Sequence, residues 1–294
     1  MDPVFHQVKL NGAELAYYER GQARADAPSL VFVHATGFHA RLWDYQAEAF
    51  PDLHSIAVDL RGHGRSEKLA AGSWRIFAED LVALLEFLQL SNVIGISHSM
   101  GAHAMADAAA LCDRFARLVL LDPTVLEPQA YQSDNDFRAH FPGGKHPASK
   151  RRNQFESVDD MVARLAPKSS FPLMDERIFR DYCQWGLLPA AGGGFVLACP
   201  PDIEAEVYMT SRSNSDIYQS IARVEIPVLI VRAQSPAPGS FMDFSSSPTW
   251  PGLVDVFPNA VEQHWSDCSH FIPMQRPQAV VELIREQVAR WGEA

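Results

Sequence analysis

The chain has 294 residues, of which 47% are hydrophobic and 21% charged, the balance of a globular protein with ample material for a core. A formal net charge of −11 repels phosphate backbones and anionic bilayers, so neither nucleic acid nor membrane is an expected partner. The four cysteines, Cys112, Cys183, Cys199 and Cys268, show no C-x-x-C or metal-ligand spacing, which argues for reduced thiols, no bound metal and a cytoplasmic setting.

The N-terminal M-D-P-V-F-H-Q has no basic segment followed by an apolar stretch, so no signal peptide is expected. Val4 to Leu10 and Glu14 to Glu19 flank Asn11-Gly12 and predict a hairpin. Leu30 to Val33 is a continuous apolar run, as in a strand buried on both faces, and it ends in His34-Ala35-Thr36-Gly37-Phe38. A helical segment over about 39–50 precedes a strand at Ser55 to Val58. That strand runs into Asp59-Leu60-Arg61-Gly62-His63-Gly64-Arg65-Ser66, whose glycines permit tight turning. From Trp74 to Leu90, Ile76, Phe77, Leu81, Leu84, Leu85 and Leu88 fall at helical spacing.

Asn92 to Gly101 is the stretch around which the rest is organised. The β-branched run Val93 to Ile96 stops at Ser97-His98-Ser99-Met100-Gly101, and the alanine-rich helical run Ala102 to Leu111 begins at once. A strand turning directly into a helix with a serine at the corner is a nucleophile elbow, which small residues two before and two after the serine allow to bend sharply. Ser97 and Gly101 are those small residues here, with a serine in place of the usual first glycine. Leu118 to Leu121 is a further buried strand closed by Asp122-Pro123. Alternating strands and helices predict a mostly parallel sheet covered on both faces.

The rhythm breaks from Thr124 to about Glu225, a span too long for a plain loop. Val158 to Leu165, Asp175 to Leu187 and Ile203 to Met209 are its clearest helical patterns, and the whole is read as an inserted, mainly helical cap. Strand character returns at Ile226 to Val231 and at Ala260 to Trp265. Pro277 to Trp291 closes the chain as a helix with Pro277 in its first turn. The expected division is therefore a core of 1–123 and 226–294 with a cap of 124–225.

Four separated motifs, H-A-T-G-F, D-L-R-G-H-G-R-S, S-H-S-M-G and S-H-F-I-P, resemble those of the α/β-hydrolase family, in the branch with a cap after the sixth strand. The resemblance covers essentially the whole chain. It implies a mostly parallel eight-stranded sheet with helices on both faces, Ser99 as nucleophile and His270 as general base. The chemistry agrees, because a serine hydroxyl is a weak nucleophile unless an imidazole takes its proton. The implied oxyanion hole is the backbone N–H of Met100 and of Thr36; Ala35 stands where the family usually has glycine. The acid departs from the common pattern: Arg232 to Pro238, after the seventh strand of that fold, holds no carboxylate. Asp122, at the end of the sixth strand, is the preferred acid, and Asp243 in a proline- and serine-rich loop is the alternative.

Ser97 is a rival nucleophile but stands before the bend. His34 is expected to support the oxyanion loop, His98 to pack or to line the pocket, His103 to sit satisfied on its helix, and Asp59 and Asp267 to stabilise turns. The cap aromatics Phe137, Phe141, Phe155, Phe171, Phe179, Tyr182 and Trp185 form its core and part of a pocket wall. Phe38, His98, Phe141 and Trp185 are the expected substrate contacts. Lys150-Arg151-Arg152 is read as a solvated face, with an acidic substrate as the sharper alternative.

These readings lead to a serine hydrolase, free of cofactor and metal, that cleaves a carboxylic ester or lactone of a small to medium apolar acyl or aryl group. Its partner is a small-molecule substrate, with homodimerisation left open. Alternatives on the same serine are a carbon–carbon bond hydrolase, a perhydrolase, a lyase, or a slow-turnover small-molecule receptor. Peptidase activity is weaker still.

Overall fold

The computed structural model describes residues 2–132, 141–168, 171–237 and 245–292. Asp243 and Phe137 lie outside them. The hairpin forms as β1 (Val4–Leu10) and β2 (Ala13–Arg20), turned by Asn11 and Gly12, both at positive φ. Then come β3 (Ser29–Val33), a short helix α1 (Asp44–Glu48) entered through a 3-10 turn, β4 (Ser55–Asp59) and α2 (Arg75–Phe87). β5 (Val93–His98), α3 (Met100–Leu111) and β6 (Phe115–Leu121) complete the first half. The single helix expected over 39–50 is thus a 3-10 turn plus five helical residues.

After β6 stand α4 (Pro128–Gln132), β7 (Gln154–Phe155), α5 (Val158–Leu165), α6 (Glu176–Trp185), β8 (Leu187–Pro189), β9 (Phe195–Leu197), α7 (Pro201–Met209) and α8 (Ile217–Ile221). The chain returns through β10 (Val228–Arg232) and β11 (Ala260–His264) to α9 (Ile272–Gln275) and α10 (Pro277–Ala289).

The main sheet has eight strands in the order β1-β2-β4-β3-β5-β6-β10-β11. β2 runs antiparallel to both its neighbours and every other pairing is parallel. The apolar runs of the central strands are explained by the two-residue period of a strand covered on both sides. Val31, Val33, Leu118, Leu120, Val228 and Ile230 point to the face covered by α2 and α3. Leu30, Phe32, Val119, Leu121, Leu229 and Val231 point to the opposite face, covered by α1 and α10.

A second, three-stranded antiparallel sheet, β7-β9-β8, lies in the stretch between β6 and β10. With α5 and α6 it encloses a separate apolar cluster that includes Met161, Ile178, Tyr182 and Leu187, joined by Phe38 and Phe271 from loops of the main sheet. α7 and α8 pack differently: Val207, Ile217 and Ile221 belong to the cluster under α2 and α3. No helix among the described residues is long and apolar enough to cross a membrane.

Candidate active site

The bend between β5 and α3 puts Ser99 at φ 58°, ψ −120°, a strained conformation that turns its side chain out of the strand. Gly101 makes the bend possible, since a Cβ there would lie 2.4 Å from the His34 carbonyl oxygen. Ser97 stays inside β5, fully buried, opposite Val33 and Leu120.

Three side chains from separate strand ends meet at this bend. His270, in the loop between β11 and α9, places Nε2 2.9 Å from Ser99 Oγ. Its Nδ1 lies 2.6 Å from Asp122 Oδ2. Asp122 is fully buried at the end of β6, at φ 46°. A carboxylate only accepts, so Nδ1 carries the proton and Nε2 is left to accept from the serine hydroxyl. The other oxygen, Oδ1, accepts from the Ala233 N–H at 2.9 Å, Ser247 Oγ at 2.5 Å and Thr249 Oγ1 at 3.2 Å. A carboxylate held by this many donors is locked in rotation. Sequence reasoning missed these partners, and it also missed Thr124, whose Oγ1 is 3.1 Å from Ser99 Oγ. Thr124 could have been found from its place two residues after Asp122; Ser247 and Thr249 arrive by a loop path that no local pattern encodes.

Met100 opens α3, so its N–H has no acceptor within the helix. Thr36 lies across from it, with Oγ1 donating to Met100 Sδ at 3.4 Å. His34 braces this loop: Nδ1–H donates to the Ala35 carbonyl at 2.8 Å and Nε2 accepts from the Leu60 N–H at 3.0 Å. Burial lowers His34 to about 4, which keeps the ring neutral for both bonds. Asp59 holds a turn, accepting from the backbone N–H groups of Ala40 and Arg65. Asp267 is an exposed partner of Arg276. His103 donates from Nδ1 to the Thr124 carbonyl at 3.0 Å, a satisfied helix histidine that also steadies the residue beside Ser99.

Above Ser99 and His270 opens a cavity of about 470 Å³. Phe38, Phe155, Leu165, Phe171, Tyr182 and Phe271 form most of its apolar wall. Of the four expected substrate contacts, Phe38 alone lines it. His98 lies beneath, donating from Nε2 to the His270 carbonyl at 2.7 Å, and burial with His270 beside it pushes its pKa well down. Phe141 packs edge-on against His146, which takes the lining position. Trp185 sits under the Arg41 guanidinium at 3.9 Å, outside the lining. Those three expectations are corrected: the aromatics are used to pack, and the histidine holds the backbone of His270.

Sequence reasoning also missed a buried polar cluster in the wall. Arg151 donates to Glu204 Oε2 at 2.5 Å and to Tyr182 Oη at 2.8 Å. Glu204 Oε1 lies so near the loop after β3 that a Cβ on Gly37 would come within 2.8 Å of it, which explains the glycine there. Burial raises the Glu204 carboxyl while Arg151 opposes the shift.

The sequence profile of the alpha/beta hydrolase family matches residues 30–283. The chain belongs to the alpha/beta hydrolase family. It is similar to lipase LipV of Mycobacterium tuberculosis, with 29% identity over 88% of this chain and 92% of the lipase. It is also similar to the 2-(acetamidomethylene)succinate hydrolase of Mesorhizobium japonicum, with 28% identity over 72% of each chain. Among solved structures, an E-2-(acetamidomethylene)succinate hydrolase superposes with a TM-score of 0.76 at 23% identity, over 97% of this chain and 98% of that one, a likeness of fold. The curated relatives include esterases and lipases, other hydrolases and non-heme chloroperoxidases.

Proposed function

We propose that this chain is a serine hydrolase that cleaves a carboxylic ester or lactone through an acyl-enzyme on Ser99. The observation that carries the reading is the unbroken run Ser99 Oγ, His270 Nε2, His270 Nδ1, Asp122 Oδ2, with links of 2.9 and 2.6 Å, at the floor of a cavity. Ser99 Oγ attacks the carbonyl carbon as its proton passes to His270 Nε2. The oxyanion forms toward the N–H groups of Met100 and Thr36, and His270 then returns the proton to the departing alcohol. Water repeats the sequence on the acyl-enzyme and frees the acid. A pair of preorganised donors of this kind is worth about 3–4 kcal/mol per donor removed. In this reading residues 124–225 act as the cap, and the apolar wall selects an acyl or aryl group of moderate size.

The experiment is a panel of p-nitrophenyl esters of increasing acyl length, with lactones alongside. Ser99→Ala should abolish turnover while keeping the circular dichroism of the parent, and Ser97→Ala should keep substantial activity. Full activity in Ser99→Ala would remove the reading.

A further inference from the structure

The cavity above Ser99 is charged opposite to the rest of the molecule. The chain carries 36 acidic against 25 basic residues. Yet the cavity lining includes Lys150, Arg151, Arg152, Arg164 and Lys168 and, among the described residues, one carboxylate, Glu204. Glu204 is already neutralised by Arg151. Arg152 is held by Asp160 through two bonds of 3.1 and 2.6 Å. Lys150, Arg164 and Lys168 form no ion pair among the described residues, and all three are exposed to solvent. They come from two segments: a 3-10 turn ending at Lys150, and the last turn of α5 with the residues just beyond it.

A solvated charge run explains cations that point away from one another on an outer face. It does not explain cations from different segments converging on one concavity. Such a cluster repels itself, and low-dielectric walls focus its field into the opening, where it attracts anions. The nearest acids on α5 are committed elsewhere, Asp159 to Arg180 and Asp160 to Arg152. The remaining walls are mostly apolar, with Phe38, Phe155, Phe171, Tyr182 and Phe271 among them. The space therefore offers an apolar sleeve between Ser99 and a rim of cations that form no ion pair among the described residues.

We propose that the preferred substrate is an anionic ester, with an apolar body against Phe38, Phe171 and Phe271 and a carboxylate or phosphate end held by Lys150, Arg164 and Lys168. This rests on the hydrolytic reading of Ser99 and adds the chemical class of its substrate. No further group takes part in the chemistry, and the anion is unchanged by turnover.

The test compares p-nitrophenyl hemiesters of dicarboxylic acids with their methyl-capped neutral counterparts of equal length, and with phosphate-ended analogues. Two readouts are used: kcat/KM on the parent protein, and calorimetric affinity for the intact esters on Ser99→Ala. At about 20 mM salt the anionic members should be favoured by about tenfold or more, a preference that shrinks as salt screens the rim. The combined Lys150→Gln, Arg164→Gln, Lys168→Gln variant should lose most of that ratio. Lys9→Gln, which removes a charge on β1 outside the cavity lining, should keep it. The more tightly bound of the carboxylate and phosphate forms identifies the anion. Equal rates for neutral and anionic esters at low salt would overturn the proposal, as would an equal loss in Lys9→Gln. Should no ester be turned over while Ser99→Ala still prefers the anions, the hydrolytic reading falls and the anion site stands.

Discussion

Replacing Asp122 by asparagine tests how the imidazole is controlled, and the structure dictates which way the new amide must face. Oδ1 accepts from three donors, and one of them, the Ala233 backbone N–H at 2.9 Å, cannot become an acceptor. The amide oxygen must therefore take the Oδ1 position. Its NH₂ then occupies the Oδ2 position, 2.6 Å from His270 Nδ1. Two N–H groups cannot face each other at that distance, so His270 shifts its proton to Nε2 and can no longer accept from Ser99. The scale of this tautomer error is about 10⁴ in kcat, or about 5.4 kcal/mol of barrier. The assay is steady-state hydrolysis of a p-nitrophenyl ester by Asp122→Asn and by Asp243→Asn, with melting curves to show that both fold. Asp243→Asn should stay within a few-fold of the parent. A small loss in Asp122→Asn, or the large loss in Asp243→Asn, would refute the argument.

Gly101→Ala should lower stability by about 1–3 kcal/mol, because the new Cβ would meet the backbone oxygens of His34 and Val33 at 2.4 and 2.8 Å. An unchanged melting temperature would show that α3 has room to move from β3. Burial lowers His34 and His103 from the ordinary 6.5 to about 4, and His39 and His63 to about 3. As pH falls below 6.5 the unfolded chain binds protons that these folded imidazoles refuse, so unfolding becomes easier from there down to the folded values. Melting temperature should hold above pH 6.5 and drop steadily between about pH 6 and pH 4; a flat profile across that window would contradict the buried neutral rings.

The parts of the fold legible in the sequence are those that local periodicity encodes. Val93 to Ile96 followed by Ala102 to Leu111 announces strand, bend and helix because a β-branched run passes within a few residues into an alanine-rich one. Asp122 could be read from its place at the end of an apolar strand, and the structure brings it to His270. β7, β8 and β9 span only two or three residues each, too short for alternation to register, so their sheet was invisible. The aromatic residues of residues 124–225 could not be sorted into wall and core, because Trp185 and Phe171 differ only in which neighbours reach them. Lys150, Arg164 and Lys168 are scattered charges in sequence, and only folding gathers them around one opening.

The proposed hydrolysis requires that Ser99 be the residue that becomes acylated. The direct measurement is to treat the protein with a fluorophosphonate, weigh the intact chain and map the modified peptide. One adduct per chain on Ser99, absent from Ser99→Ala and accompanied by complete loss of ester hydrolysis, is the predicted result. An adduct on Ser97, or ester hydrolysis that persists after Ser99 is fully labelled, would contradict it.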